Sequence, residues 1–327
     1  MASTVLVVTA LEDVTADWVV SALNERGVPV VRVDPADIGA ALTFGFRIDG
    51  GRPVWSGRLR TASREVEPGE VAAVYHRRPT PYGARFAHLP RQQGDFAATE
   101  ARHGLGGVLN DLPGALYVNH PAAVARADFK PAQLRKFARL GLKIPPTLIT
   151  NDVRAAQESA AEHGPVVCKT FRGLPAADDG HTGAIWTQRL DPQTFDETLA
   201  VTAHLFQAEI PKTGDVRVTV IGRRVFAQQV AAPDGALDWR RGDWDALLHA
   251  SITVPPREAA LHAYLASFGL VFGCFDFALT GDGDDPEHWT AIECNPNGQW
   301  GWLPDAPAIT EAFADVLTME TEGKGRP

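Results

Sequence analysis

The sequence predicts an α/β protein that opens on a parallel sheet and closes on antiparallel strands, and three observations carry this. TVLVVTA (4–10) and VPVVRVD (28–34) are apolar strand-type runs flanking TADWVVSALNERG (15–27), a helical stretch stopped by Gly27. Such a βαβ unit sets two parallel strands side by side. From residue 205, HLFQAEI, DVRVTVIG and RRVFAQQV follow one another as strands separated by short turns. Finally FGCFDFALT (272–280), the turn GDGDDPEH and the run ending in AIECNPNGQW (291–300) read as a hairpin.

The elements between these follow in order. TFGFRID and PVWSGRLR alternate around Gly50 and Gly51 as a hairpin, and VAAVYHRRP (71–79) is a strand ending in Arg77 and Arg78. A helical stretch over 92–110 and the strand ALYVN complete a first domain, 1–118. A central unit, 119–204, holds the helix KPAQLRKFARLG, the strand PTLIT, the helix NDVRAAQESAAEHG and the strand PVVCKTF. The loop RGLPAADDGHTG (172–183) then precedes the strand AIWTQ. The last unit, 205–327, adds the helix REAALHAYLASFG, the hairpin of residues 272–300 and a terminal helix, and its TEGKGRP tail reads as disordered.

Composition excludes several functions. A net charge of −9 argues against a nucleic-acid binder or a basic membrane-surface protein. There is no apolar run of about 18 residues, and MASTVLVVTALED lacks a basic signal-type start, so a cytoplasmic protein is expected. Cys168, Cys274 and Cys294 lie in apolar runs without CxxC spacing and read as buried free thiols. No glycine follows the first strand in ALEDVTAD, against a dinucleotide fingerprint.

The hairpin carries the chemistry. Glu293 and Asn295 are two apart in a strand and so share a face. Pairing Ala278 with Ala291 puts Asp276 opposite Glu293, and two carboxylates with an amide oxygen suit Mg²⁺. Without a metal their like charges would push at least one pKa up. Alternatively, Asp276 pairs with a structural arginine and Asn295 caps the turn. Lys169 ends an apolar strand, where phosphate is a fitting partner, and Lys130 opens a helix, where a cation opposes the dipole unless an anion docks there. In QAEIPKTGDVRV, Gln207, Ala208, Glu209 and Ile210 form a polar–apolar hinge able to read an adenine edge. Asp215 and Arg217 share one strand face downstream, fit for ribose and for γ-phosphate charge, or for a plain ion pair. Arg77 and Arg78 at a strand end, with Arg172 beside the glycine-containing loop, are candidates to clamp a substrate carboxylate; solvated surface arginines are the bland reading.

The order Lys130, Lys169, QAEI, DVRV, Asp276 and ECNPNGQW resembles the ATP-grasp superfamily over roughly residues 119–305. Within it, NHPAAVARADFKPAQLRKFARLGLKIPPTLITND, IECNPNGQW and HRRPTPY look most like the ribosomal-peptide maturases, the graspetide macrocyclases. The resemblance implies an ATP-grasp fold, with Lys130 and Lys169 on the α- and β-phosphates and Gln207–Ile210 on adenine. It further implies Asp215 on ribose, Arg217 on the γ-phosphate and Asp276, Glu293 and Asn295 on Mg²⁺, with Arg217 and Lys169 in catalytic roles. The implied reaction activates Asp or Glu side chains of a precursor peptide as acyl phosphates. These then join Ser/Thr hydroxyls or Lys amines, while a leader segment is held on the enzyme. Gln207 departs from the Glu that many superfamily members carry, though an amide also reads an adenine edge. A small-molecule carboxylate–amine ligase is the alternative, and the sequence leaves the oligomeric state open, a homodimer included.

Overall fold

The computed structural model of the protein describes residues 3–172, 185–232, 237–255 and 257–323. Apart from Arg172, the loop expected at 172–183 lies outside the described residues, as do the last four residues of the tail; the tail's Thr321–Gly323 end a helix.

The opening unit forms as the periodicity predicts. Strand β1 (Thr4–Val8), helix α1 (Val14–Glu25) and strand β2 (Val30–Val33) are followed by a hairpin of β3 (Thr43–Asp49) and β4 (Arg52–Arg60), with β5 (Glu65–Val66) beside it. Strand β6 (Val71–His76), helices α2 (Tyr82–Arg85) and α3 (Arg91–Leu109), and strand β7 (Leu116–Val118) follow. The main sheet runs β2-β1-β6-β7, all parallel. Every residue of β1 is buried, as both faces of a parallel sheet are covered.

A short helix that the periodicity does not separate, α4 (Pro121–Ala127), leads into α5 (Lys130–Arg139). Then come β8 (Thr147–Thr150), α6 (Val153–His163), β9 (Val166–Lys169), β10 (Gln188–Leu190) and β11 (His204–Ala208). These strands form an antiparallel sheet, β10-β9-β11-β8. β10 begins where the expected strand AIWTQ ends, so Trp186 and Thr187 precede it and line a cleft instead.

The last sheet is β14-β13-β12-β15-β16 and wholly antiparallel. It comprises β12 (Gly214–Ile221), β13 (Arg224–Ala231), β14 (Leu248–Ser251), β15 (Phe272–Leu279) and β16 (Trp289–Asn295), with α7 (Glu258–Phe268) inserted before β15. Phe137 of α5 stacks on Tyr264 of α7 at 4.6 Å, and Tyr264 meets Phe275 edge-on at 5.3 Å, so both helices are pinned to this sheet. The terminal helix α8 (Ala306–Gly323) returns to the first sheet, where Phe313 lies 5.2 Å from Trp300 and 5.0 Å from Tyr75. Both ends of the chain therefore share one core. Among the described residues no helix is long and apolar enough to cross a membrane. The three cysteines are free, Cys274 and Cys294 buried and Cys168 partly exposed.

Candidate active site

Asp276 does pair with Glu293 across β15 and β16, but by a different register from the one expected. Ala278 faces Thr290 and Ala291 faces Phe277, so Ile292 is an extra residue, a bulge beside the two carboxylates. A bulge re-aims neighbouring side chains, and here Ile292, Glu293 and Asn295 all line one cleft of about 440 Å³ with Asp276. The cleft lies between the central and last sheets and is lined also by Lys130, Lys169, Arg172, Gln207 to Ile210 and Asp215.

Local charge organises its floor. Lys130, in the first turn of α5, contacts the Glu293 carboxylate directly. Burial works against the charge on Glu293, yet Lys130 holds its carboxyl below the ordinary value. Across the hairpin, burial and the facing Glu293 push Asp276 up, with Arg217 opposing. Like-charge repulsion thus falls on Asp276, while Glu293 is shielded by the lysine. Asn295 sits between them, its amide 3.3 Å from Asp276 and 3.4 Å from Glu293. The amide presents N–H to the two acceptors, and a half-turn would present its oxygen instead.

Lys169 closes β9 half-buried in the cleft lining, and burial lowers it to about 8. It makes no ion pair among the described residues. Gln207 is buried and donates to Thr147 Oγ1 at 3.0 Å, which holds the hinge in place. Ala208 N–H donates to Pro146 and Glu209 N–H to Pro165, while Arg189 grips the Glu209 carboxylate with two 2.5 Å bonds. Asp215 is paired with Lys212 at 2.5 Å. Arg217 is buried behind the cleft wall, 3.2 Å from Asp276, with its guanidinium 5.9 Å from the ring centres of both Trp239 and Trp302. The alternative of a structural arginine on Asp276 is thus realised in this arrangement, without removing Asp276 from the cleft.

Arg77 departs from its expected role. Its side chain is wholly buried, bonded to Asp13 at 2.7 Å and to Gln299, and its carbonyl accepts from Asn297. A guanidinium so engaged is a joint between β6, the cap of α1 and the segment after β16, and has no face for a substrate. Arg78 is exposed and donates to the Asn297 carbonyl at 3.2 Å, outside the cleft lining. Arg172 does line the cleft, 80% exposed and 3.6 Å from Asp128.

Among the lining residues that went unread in the sequence are three polar ones beside the phosphate-binding candidates. Lys212 lies three residues before Asp215 in the same turn, and Gln133 lies one turn after Lys130 on the same helix face. Arg240, in the charged aromatic stretch WRRGDW, is held by Asp238 through bonds of 2.8 and 2.7 Å. Such spacing to a recognised residue, or a charge amid tryptophans, was the available signal.

Comparison with solved structures identifies the fold. A Chryseobacterium gregarium RiPP-associated ATP-grasp ligase, solved with ADP and a leader and core peptide, superposes with a TM-score of 0.87, 24% identity and 97% of each chain covered. The chain has the ATP-grasp fold. The macrocyclase MdnB of Microcystis aeruginosa MRC is 27% identical, with a TM-score of 0.75 over 96% of this chain and 99% of MdnB. The ATP-grasp ligase PsnB, solved with a minimal precursor, Mg and ADP, is 21% identical, with a TM-score of 0.74 over 97% and 98%. No family model and no curated protein matches the sequence.

Proposed function

We propose that the protein is an ADP-forming ligase that activates side-chain carboxylates of a ribosomal precursor peptide and joins them to hydroxyls or amines of the same peptide. The observation that carries this is the convergence of Lys130, Lys169, Asp276, Glu293 and Asn295 in one cleft. The likeness to ligases solved with precursor peptides, over nearly the whole chain, supports the substrate class. In this reading the chain works as three units, 1–118, 119–204 and 205–327, with ATP between the second and third. The reaction takes place in the cytoplasm, where ATP is supplied.

The residues fit a magnesium–nucleotide complex. Two carboxylates and an amide are too few for an all-protein cage, and among the described residues no cluster of three or more His, Cys, Asp or Glu is disposed to hold a metal. That is the donor count expected where phosphates complete the shell. Mg²⁺ bound there offsets phosphate charge as it develops. Lys130 and Lys169 hold the α- and β-phosphates. Ile210 N–H, which bonds no other described residue, is the free hinge donor for the adenine edge, and Asp215 exchanges Lys212 for ribose hydroxyls. Arg217 backs Asp276 and compensates charge on the γ-phosphate. The peptide carboxylate attacks the γ-phosphorus and ADP leaves; a hydroxyl or amine then attacks the acyl carbon, phosphate departs and the nucleophile's proton passes to solvent. Arg172, exposed on the cleft lining, is assigned to the acidic core, and Arg78, exposed outside that lining, to a more distant part of the peptide.

Incubated with ATP, Mg²⁺ and an acidic precursor encoded beside it, the enzyme should remove one water per bond formed and release ADP and phosphate, read by mass spectrometry and nucleotide chromatography. Release of AMP and pyrophosphate, a phosphopeptide end product, or ligation of free amino acids in place of the peptide would overturn the proposal.

Lys169 supplies a pH signature. The unfolded chain keeps this proton up to about 10.5 and the folded one only to about 8. The unfolded state therefore binds more protons in that window, and this group's contribution to stability rises with pH across it. Phosphates favour the ammonium, so nucleotide binding near pH 8.5 should take up a proton, and near pH 6.5 Lys169 should take up none. Calorimetry in buffers of different ionisation enthalpy reads the uptake, and Lys169→Met should abolish it. Buffer-independent enthalpies near pH 8.5 would remove Lys169 from the phosphate site.

A further inference from the structure

We infer that Gln133 is a positioning residue of the magnesium site, acting through the backbone of Cys294. This rests on the assignment of Glu293 and Asn295 to Mg²⁺ made above. β16 is an edge strand, and the outward N–H and C=O of such a strand ordinarily lie open. At Cys294 both are bonded by one side chain. Gln133 Oε1 accepts from Cys294 N–H at 2.9 Å, and Gln133 Nε2 donates to Cys294 O at 2.9 Å. The amide thus makes the two-point contact that a neighbouring strand would make.

A third bond, Nε2 to Ala127 O at 2.7 Å, fixes the amide from the helix side, and the side chain is only 4% exposed. Cys294 lies between the two candidate ligands and turns its own side chain into the core, so Glu293 and Asn295 point the other way, into the cleft. A clamp on the intervening peptide unit sets where both side chains aim. One turn earlier on α5, Lys130 contacts Glu293. The helix therefore grips the strand at two points, the backbone through Gln133 and the carboxylate through Lys130.

Groups that orient ligands in this way typically change metal affinity about 10–100-fold when removed. The test compares wild type with Gln133→Met, which keeps the volume and loses all three bonds, and with Gln133→Asn, one methylene too short to make them. Thermal melts with saturating ADP are recorded over a Mg²⁺ titration and again in EDTA. Both variants should need about 10–100-fold more Mg²⁺ for half-maximal stabilisation, while their ADP shift in EDTA stays near that of wild type. Variants that melt lower yet keep the wild-type Mg²⁺ midpoint would show Gln133 to be only a structural amide. If the methionine variant does not fold, the asparagine variant decides by the same two outcomes. A wild type whose ADP shift ignores Mg²⁺ overturns the magnesium site itself, and this inference with it.

Discussion

Asp276→Asn and Glu293→Gln should each abolish most ATP-dependent turnover while differing in their effect on the nucleotide-free protein. Electrostatic support of a transferring phosphoryl group is worth several kcal/mol, so the loss of a ligand should reduce kcat on the order of 10³-fold. Both should also shrink the thermal shift from Mg²⁺–ATP, because a ligand stabilises only as far as it binds the native state. Without nucleotide the signs diverge. Glu293 is depressed below its ordinary value, so its charge stabilises the fold above about 4.5 and that contribution fades as pH falls. Glu293→Gln removes it and strands Lys130, and the apo protein should melt lower. Asp276 is raised above its ordinary 3.8, so ionising it costs stability as pH rises. Asp276→Asn keeps an acceptor for Arg217 and should melt at or above wild type near neutral pH. Melts of the three proteins with and without Mg²⁺–ATP decide this. An asparagine variant that is strongly destabilised alone but keeps the full nucleotide shift would make Asp276 a structural partner of Arg217 and nothing more.

Replacing Arg77 should cost stability far more than activity per folded molecule. Its side chain is wholly buried and that of Asp13 only 9% exposed, so Arg77→Leu leaves a carboxylate uncompensated. Breaking such a pair costs about 3–5 kcal/mol. Thr9 Oγ1 at 2.8 Å and the Ala16 N–H at 3.3 Å remain on Asp13 and limit the loss. Urea unfolding should show a lower midpoint with an unchanged slope. The Asp13→Asn/Arg77→Leu double variant should recover part of the loss, since the two sites are directly coupled. A single variant within about 1 kcal/mol of wild type, the range of exposed pairs, together with lost turnover, would return Arg77 to the substrate side.

How far the site was legible depends on the distance over which each cause acts. The shared face of Glu293 and Asn295 follows from the period of a strand, and the two lysines stood out because each sits badly in its local setting. Their meeting around one cleft was legible only as an ordered set resembling other ligases. Arg77 misled because a strand-end arginine looks the same whether its partner is solvent or Asp13, 64 positions away in the chain.

The sequence by itself determined most of the strands and helices, the parallel opening sheet, the carboxylate pair and the cations, all of which follow from residue type and short-range period. Only the tertiary structure decided the Ile292 bulge, the burial of Arg77, the grip of Gln133 on Cys294, the Arg217–Asp276 pair and the return of α8 to the first sheet. Each of these is a contact between segments far apart in the chain. Its geometry is set by how sheets and helices pack against one another, and that packing leaves no periodic trace in the residues on either side.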